Sequence, residues 1–223
     1  DPHPVAARSV SYEDDPVTSP SLTRMYLAPS YHTAKPGEAE ALDILGTILA
    51  GTSIGRLYRA LVIDNELATS ASSSFRGGAF DLTRLTISAS PRGEITIAQL
   101  EANIDRVLDD IIKNGIRPEE LDHARNSMIK SEVYARDSQT MMARIVGAVF
   151  TAGGDLSDVV DWASRLKKVT VEDVNCCSQD LNGIIVTESG ILAAAHLAGP
   201  GSVKNYLRSY GLDNFADGYG TTV

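Results

Sequence analysis

Four histidines are the side chains of this sequence best suited to metal or acid–base chemistry: His3, His32, His123 and His196. No histidine is followed by another three or four residues later, and the motifs H-x-x-E and H-x-x-E-H are missing. Zinc sites on helices need ligands at such spacings, so the pattern indicates no metal site. His32 in a loop and His123 on a polar helix face are predicted to be solvent-exposed.

Other residues that could do chemistry also lack the partners they need. Cys176 and Cys177 are adjacent, no C-x-x-C or G-x-S-x-G motif is present, and free cysteines usually pack as small hydrophobes. The run Gly51–Gly55 resembles a phosphate loop but lacks G-K-[ST], so it predicts a turn between helices. Neighbouring acids such as Asp109-Asp110 and Glu119-Glu120 predict surface charge, because adjacent helical residues face different ways. The residues alone indicate no catalytic site and no catalytic residue.

Composition restricts the class of protein. The 223 residues are 43% hydrophobic and 22% charged, which is typical of a soluble globular protein with one large or two small domains. Lys+Arg number 20 and Asp+Glu 29, and the resulting net charge of −9 argues against nucleic-acid binding. No run approaches about 18 apolar residues, so no membrane span is expected. The start, Asp1-Pro2-His3-Pro4, resembles no signal peptide, and we expect a piece of a longer protein.

Hydrophobic periodicity predicts an α+β fold with helices packed on one face of an antiparallel or mixed sheet. The predicted strands are 8–12, 21–28, 67–75, 82–90 and 184–186, with 67–75 and 82–90 forming a hairpin. The predicted helices are 36–51, 53–64 with Leu57, Leu61 and Ile54 inward, 97–114, 118–136, 138–151, 156–167 and one that starts with a capping box at Thr170 and Asp173. We expect a linker and first strand over 1–20, one domain over 21–190 and a C-terminal tail over 191–223.

Seven runs follow one another in an order that one family shares: 21–31, 38–49, 55–62, 67–70, 119–130, 134–139 and 169–174. Together they resemble the pitrilysin/insulinase family of zinc peptidases, the inverzincins, which includes the mitochondrial processing peptidase. The resemblance covers roughly residues 5–190. It implies two similar α+β halves, of which the first carries H-x-x-E-H, its zinc and the glutamate that activates water.

This chain is similar to the second half, which holds no zinc. The resemblance therefore implies no cofactor in this chain and zinc in an N-terminal half outside it. The implied partners are that zinc-bearing half, a second family subunit or another copy of this chain, and a peptide substrate. Because bacterial members are often exported, it favours the periplasm.

Two positions are substrate-contact candidates by resemblance alone. Many second halves contain the run L-R-E-K-x-G-L-A-Y, whose Arg and Tyr face the substrate across from zinc and can hydrogen-bond its carbonyl. The corresponding run here is L-V-I-D-N-E-L-A-T, which places Val62 at the Arg and Thr69 at the Tyr. Valine has no donor and the threonine hydroxyl reaches less far, so no catalytic role is transferred.

Three functions stay open. The chain is the C-terminal half of a zinc peptidase that encloses peptide substrate, or a non-catalytic scaffold subunit of the same family, or a peptide-binding module. The third hypothesis rests on the serine-rich run Thr69–Ser74, which could be an open sheet edge that pairs with an extended peptide. The alternative for that run is a packed strand whose small side chains let helices approach.

Overall fold

A three-stranded antiparallel sheet forms the centre of the fold. The computed structural model describes residues 9–12 and 19–179. The strands are β1 (Leu22–Ala28), β2 (Ala68–Phe75) and β3 (Thr83–Pro91), and β3 lies between the other two. Tyr26 pairs with Leu85 across β1 and β3, and Ala71 pairs with Ala89 across β2 and β3. The predicted strand over 21–28, the predicted hairpin and the α+β class are confirmed.

Helices occupy most of the remaining described chain: α1 (Glu38–Gly46), α2 (Arg56–Tyr58), α3 (Ile97–Asn114), α4 (Pro118–Arg136), α5 (Gln139–Thr151), α6 (Leu156–Val160), α7 (Trp162–Leu166) and α8 (Val171–Gln179). The segments Thr47–Gly51 and Arg59–Asp64 extend α1 and α2 with π-helical hydrogen bonding. Before α8, the Thr170 amide donates to Asp173 Oδ2 at 2.8 Å, and the Asp173 amide donates to the Thr170 hydroxyl at 3.2 Å. The predicted capping box is therefore confirmed.

The hydrophobic core lies on one face of the sheet. Leu85, Ile87 and Ala89 of β3 are buried, as their alternation predicts, and Tyr26 of β1 joins them. The helices contribute Leu45, Leu49, Leu57, Leu61, Leu100, Ile104, Ile111 and Val174. Each fully buried Leu or Ile side chain stabilises the fold by roughly 1.5–3 kcal/mol, so this face holds the helices on the sheet. Leu27, which alternates with Tyr26, is exposed on the opposite side.

Two arginines hold helices in place through ion pairs, one from the sheet and one from another helix. Arg24 of β1 is buried and pairs with Glu101 of α3 at 3.0 Å and with Asp105. Arg56 of α2 donates from Nε and Nη2 to the two carboxylate oxygens of Glu120 at 2.8 and 2.7 Å. The prediction that Glu120 is plain surface charge is wrong, because this forked contact fixes α2 against the start of α4.

Several details differ from the sequence prediction. Ile54, expected to face inward, is exposed because it lies in the turn before α2 rather than within a helix. The predicted helix over 156–167 is interrupted at Asp161 and forms α6 and α7. Ser9–Tyr12 form no strand, whereas the predicted strand Ile184–Val186 and the tail 191–223 lie outside the described residues. In the described ranges, no helix combines the length and apolar character needed to span a membrane.

Candidate functional site

The two substrate-contact candidates flank one tight connection. Val62 lies in the π-helical extension of α2, and its half-buried side chain packs against the core. Thr69 is exposed in β2, and its hydroxyl donates to the Ser90 carbonyl oxygen at 3.3 Å. The Leu67 amide donates to the Leu61 carbonyl oxygen at 2.8 Å and folds the connection back on itself. Because Val62 has no polar atom and the Thr69 hydroxyl donates within the sheet, neither reproduces an Arg or Tyr contact.

Glu66, between the two candidates, has a left-handed backbone. Glu66 has a φ of 50°, and it is the one non-glycine residue of the described ranges with a positive φ. A side chain in this left-handed conformation costs roughly 1–2 kcal/mol, whereas glycine adopts it readily. The family's run has glycine at the equivalent position. The connection therefore keeps a backbone suited to glycine although the side chain differs.

Strand β2 presents its small side chains to two environments. The exposed serines are Ser70, Ser72 and Ser74. Ser73 is buried, and a Cβ added to Gly46 of α1 would lie 3.5 Å from the Phe75 amide nitrogen, so α1 packs closely on this strand. Within the described sheet, β2 is also an edge strand. The run thus combines close packing on one face with exposed hydroxyls on the other.

A cavity of about 850 Å³ lies between α1, the loop after β1 and helices α4–α7. This volume is in the range of about 300–1,000 Å³ that is typical of small-ligand pockets. Its apolar lining includes Met128, Met142, Ile145, Val149 and Trp162. Thr47 and Gly51, from the π-helical extension of α1, also line it. Such π-helical turns frequently occur at functional sites.

Three side chains form a hydrogen-bonded chain along the cavity wall. Trp162 Nε1 donates to the Tyr31 hydroxyl oxygen at 2.8 Å, and that hydroxyl donates to Asp43 Oδ2 at 2.6 Å. Burial raises the pKa of Asp43 to about 6 and the Glu40 carboxylate adds to this rise, while the bond from Tyr31 opposes it. At neutral pH, Asp43 is therefore largely ionised where burial disfavours the charge. A shifted pKa inside a concave site is typical of functional groups.

Arg165 of α7 connects the cavity wall to α1. Its Nε donates to Glu40 Oε1 at 2.6 Å, and Glu40 is buried. Its Nη2 donates to the Asp158 carbonyl oxygen at 3.1 Å, and its Nη1 lies 3.7 Å from the Asp158 carboxylate. The positive charge of Arg165 is thus matched by Glu40 and Asp158 rather than by Asp43.

Sequence reasoning did not find this site. His32 and His123 are exposed, as predicted, although His32 lies at the cavity and stacks on Phe80 with ring centroids 5.1 Å apart. A signal for Asp43 was present, because it interrupts the apolar run Ala41–Leu45. Its connection to Trp162 through Tyr31, however, joins residues 131 positions apart, and no local pattern reveals such a contact.

Across residues 9–12 and 19–179, no group of three or more His, Cys, Asp or Glu is arranged to hold a metal ion. Cys176 is exposed and Cys177 is buried. Cys177 packs with the core, which matches the prediction of a small hydrophobe on a late helix.

A family model described as the peptidase M16 inactive domain matches residues 1–128. The fold is similar to that of a protease from Helicobacter pylori, with 22% identity, a TM-score of 0.73, and coverage of 83% of this chain and 44% of that chain. It is also similar to a peptidase M16 inactive domain from Pseudomonas fluorescens, with 22% identity, a TM-score of 0.63, and coverage of 74% and 39%. The periplasmic protease PqqL from Escherichia coli shows 18% identity, a TM-score of 0.61, and coverage of 80% and 19%.

The chain therefore spans less than half the length of each of these three structures. No curated protein matches it.

Proposed function

This chain belongs to the family of peptidase M16 inactive domains, and from that premise we propose that it joins a zinc-bearing half and closes over the peptide which that half cleaves. The family confirms the resemblance to the second, zinc-free half of pitrilysin/insulinase peptidases. The proposal gives this chain a role in association and enclosure, while zinc and the activated water belong to the other half.

The observation that carries the proposal is a set of six large apolar side chains that α4–α6 leave exposed, here called the α4–α6 surface. It comprises Val133, Tyr134, Met141, Phe150, Leu156 and Val160, whose exposed fractions are 44–75%. Helix α5 lies within this α4–α6 surface and has no buried residue. Large exposed apolar patches are typical of interaction sites. A partner domain on this surface would remove these side chains from water, and the zinc-bearing half is the partner that the family implies.

Association can be tested with two surface variants and a matched control. The wild-type chain is mixed with the zinc-bearing half of the same peptidase, and binding is measured by sedimentation. We expect Tyr134→Lys and Phe150→Lys each to weaken binding at least about tenfold, because large aromatic side chains dominate interface energies. Ile63→Lys is the control, since Ile63 is 55% exposed but lies outside the α4–α6 surface. Equal binding by all three variants, or no binding by the wild type, would contradict the proposal.

A second function, peptide binding by strand addition, is favoured by β2. It is an edge strand in the described sheet, and exposed hydroxyls follow its length. Strand addition uses backbone groups for affinity and alternate side-chain positions for specificity. Addition of an extended peptide should shift the backbone amide signals of residues 69–74 in a nuclear magnetic resonance spectrum. Unchanged signals at saturating peptide would remove this candidate.

A further inference from the structure

We propose that the cavity between α1 and helices α4–α7 binds an aliphatic ammonium group, with Asp43 as its counter-ion. Neither substrate-contact candidate, Val62 or Thr69, lines this cavity, and none of the six exposed side chains of the α4–α6 surface does. It combines an ionisable group at its wall with apolar side chains around it.

Asp43 lacks a basic partner within the described residues. Its side chain accepts the Tyr31 hydroxyl at Oδ2, and no described ion pair includes it. The cavity's arginine, Arg165, is engaged by Glu40 and Asp158. Asp43 is half-buried at the cavity wall. Since a carboxylate that is partly removed from water gains from a nearby positive charge, this unpaired carboxylate points to a cationic ligand.

The geometry favours an ammonium over a guanidinium or a metal ion. A guanidinium binds a carboxylate best through both oxygens, but Tyr31 already occupies Oδ2 of Asp43. An ammonium is a compact charge that can use Oδ1 alone. No cluster of three metal-ligating side chains lies in the described ranges.

The apolar wall predicts that the ammonium carries an aliphatic stem. Met128, Ile145 and Val149 line the cavity and would cover methylene groups, while the Trp162 ring can attract the cation. Two sources offer this chemistry: a free diamine, and the lysine side chain of a peptide. The second source rests on the proposed function, whereas the first does not.

The single tryptophan gives a local assay. Trp162 is the one tryptophan of the sequence, and it both lines the cavity and donates to Tyr31. The full chain is titrated at physiological salt with cadaverine, with Nα-acetyl-lysine-N-methylamide and with neutral 1,5-pentanediol, while Trp162 fluorescence is recorded. We expect saturable changes with one or both ammonium probes and none with the diol. Binding of cadaverine alone assigns the site to free diamines, and comparable binding of the blocked lysine assigns it to peptide side chains.

Three variants test separately whether ammonium binding needs the charge of Asp43 and the open space of the cavity. Asp43→Asn keeps an acceptor for the Tyr31 hydroxyl but removes the charge, and it should weaken ammonium binding at least about tenfold. Ala135→Phe leaves every charge in place but fills part of the cavity, since Ala135 lines it, and should also weaken binding. Asp109→Asn removes an exposed acid of α3 that does not line the cavity and should bind as the wild type does.

The proposal is overturned if neither ammonium probe changes Trp162 fluorescence, or if 1,5-pentanediol changes it as strongly as the ammonium probes do. It is also overturned if Asp43→Asn and Asp109→Asn lose the same affinity, because the net charge of −9 alone would then explain binding. Should Asp43→Asn fail to fold, Ala135→Phe decides: undiminished binding rejects the cavity as the site. Failure here would leave the association test on the α4–α6 surface unaffected.

Discussion

Replacing Asp43 by Asn should stabilise the chain at neutral pH, because it removes a charge from a site where burial disfavours it. The amide oxygen of Asn can still accept the Tyr31 hydroxyl that now bonds to Oδ2 at 2.6 Å. The folded-state pKa of Asp43 is raised from 3.8 to about 6, with burial as the main cause. The folded form therefore takes up a proton more readily than the unfolded form between these two values.

The sign and size of the effect follow from proton linkage. As pH rises from about 4 to about 6, the free energy of unfolding falls, because the unfolded state releases the Asp43 proton at a lower pH than the folded state does. At one pKa unit per 1.36 kcal/mol, the full loss above the folded pKa is at most about 3 kcal/mol. The amide accepts a weaker hydrogen bond than a carboxylate does, so a net gain of roughly 1–2 kcal/mol is expected for Asp43→Asn near pH 7.5. Near pH 4 the two proteins should differ by less than about 1 kcal/mol.

Urea unfolding followed by Trp162 fluorescence measures this difference on both sides of the isoelectric point of about 4.9. Asp109→Asn, in which the changed carboxylate is 62% exposed, is the matched control and should change stability by less than about 0.5 kcal/mol at either pH. A loss of stability in Asp43→Asn near pH 7.5, or a difference that does not vary with pH, would refute the reasoning about burial.

Four further outcomes are expected. Glu120→Gln weakens the forked contact with Arg56 and should destabilise the fold by roughly 2 kcal/mol at pH 7 in urea unfolding. The pKa of Glu120 is lowered to about 2, by hydrogen bonds from Arg56 and Arg117 that outweigh burial, so its contribution is complete above about pH 4.5 and is lost as pH falls toward 2. Glu66→Gly should raise the free energy of unfolding by roughly 0.5–1 kcal/mol, because it relieves the left-handed backbone, whereas Glu66→Ala should not. Gly55→Ala should markedly lower the free energy of unfolding, since a Cβ at Gly55 would lie 2.8 Å from the Ala50 Cα. The purified chain should hold no stoichiometric zinc by elemental analysis and cleave no peptide, and cleavage that a chelator abolishes would show this expectation to be wrong.

Local patterns were sufficient for the main elements of the fold. The alternation in β3 predicts which residues are buried, and Thr170 with Asp173 predicts the start of α8, because both effects act within a few residues. The boundary between α6 and α7 was missed because the apolar spacing continues across the interruption at Asp161. Ile54 was misplaced for a related reason, since helical periodicity does not show where a turn ends.

The cavity could not be predicted from sequence because its polar groups come from separate elements. Tyr31, Asp43 and Trp162 belong to a loop, α1 and α7, and only the packed fold brings them together. Val62 and Thr69 were placed as substrate-contact candidates by resemblance alone, and their roles stay a prediction.

The most direct test of the proposed function is to isolate the native protein from its source cell and determine the mass and sequence of every stoichiometric polypeptide. The proposal predicts H-x-x-E-H and zinc, either upstream in the same polypeptide or in a partner chain that binds the α4–α6 surface. Chelator-sensitive peptidase activity should accompany the complex. A native assembly with neither the motif nor zinc would contradict a role in proteolysis and leave a non-catalytic scaffold of the same family.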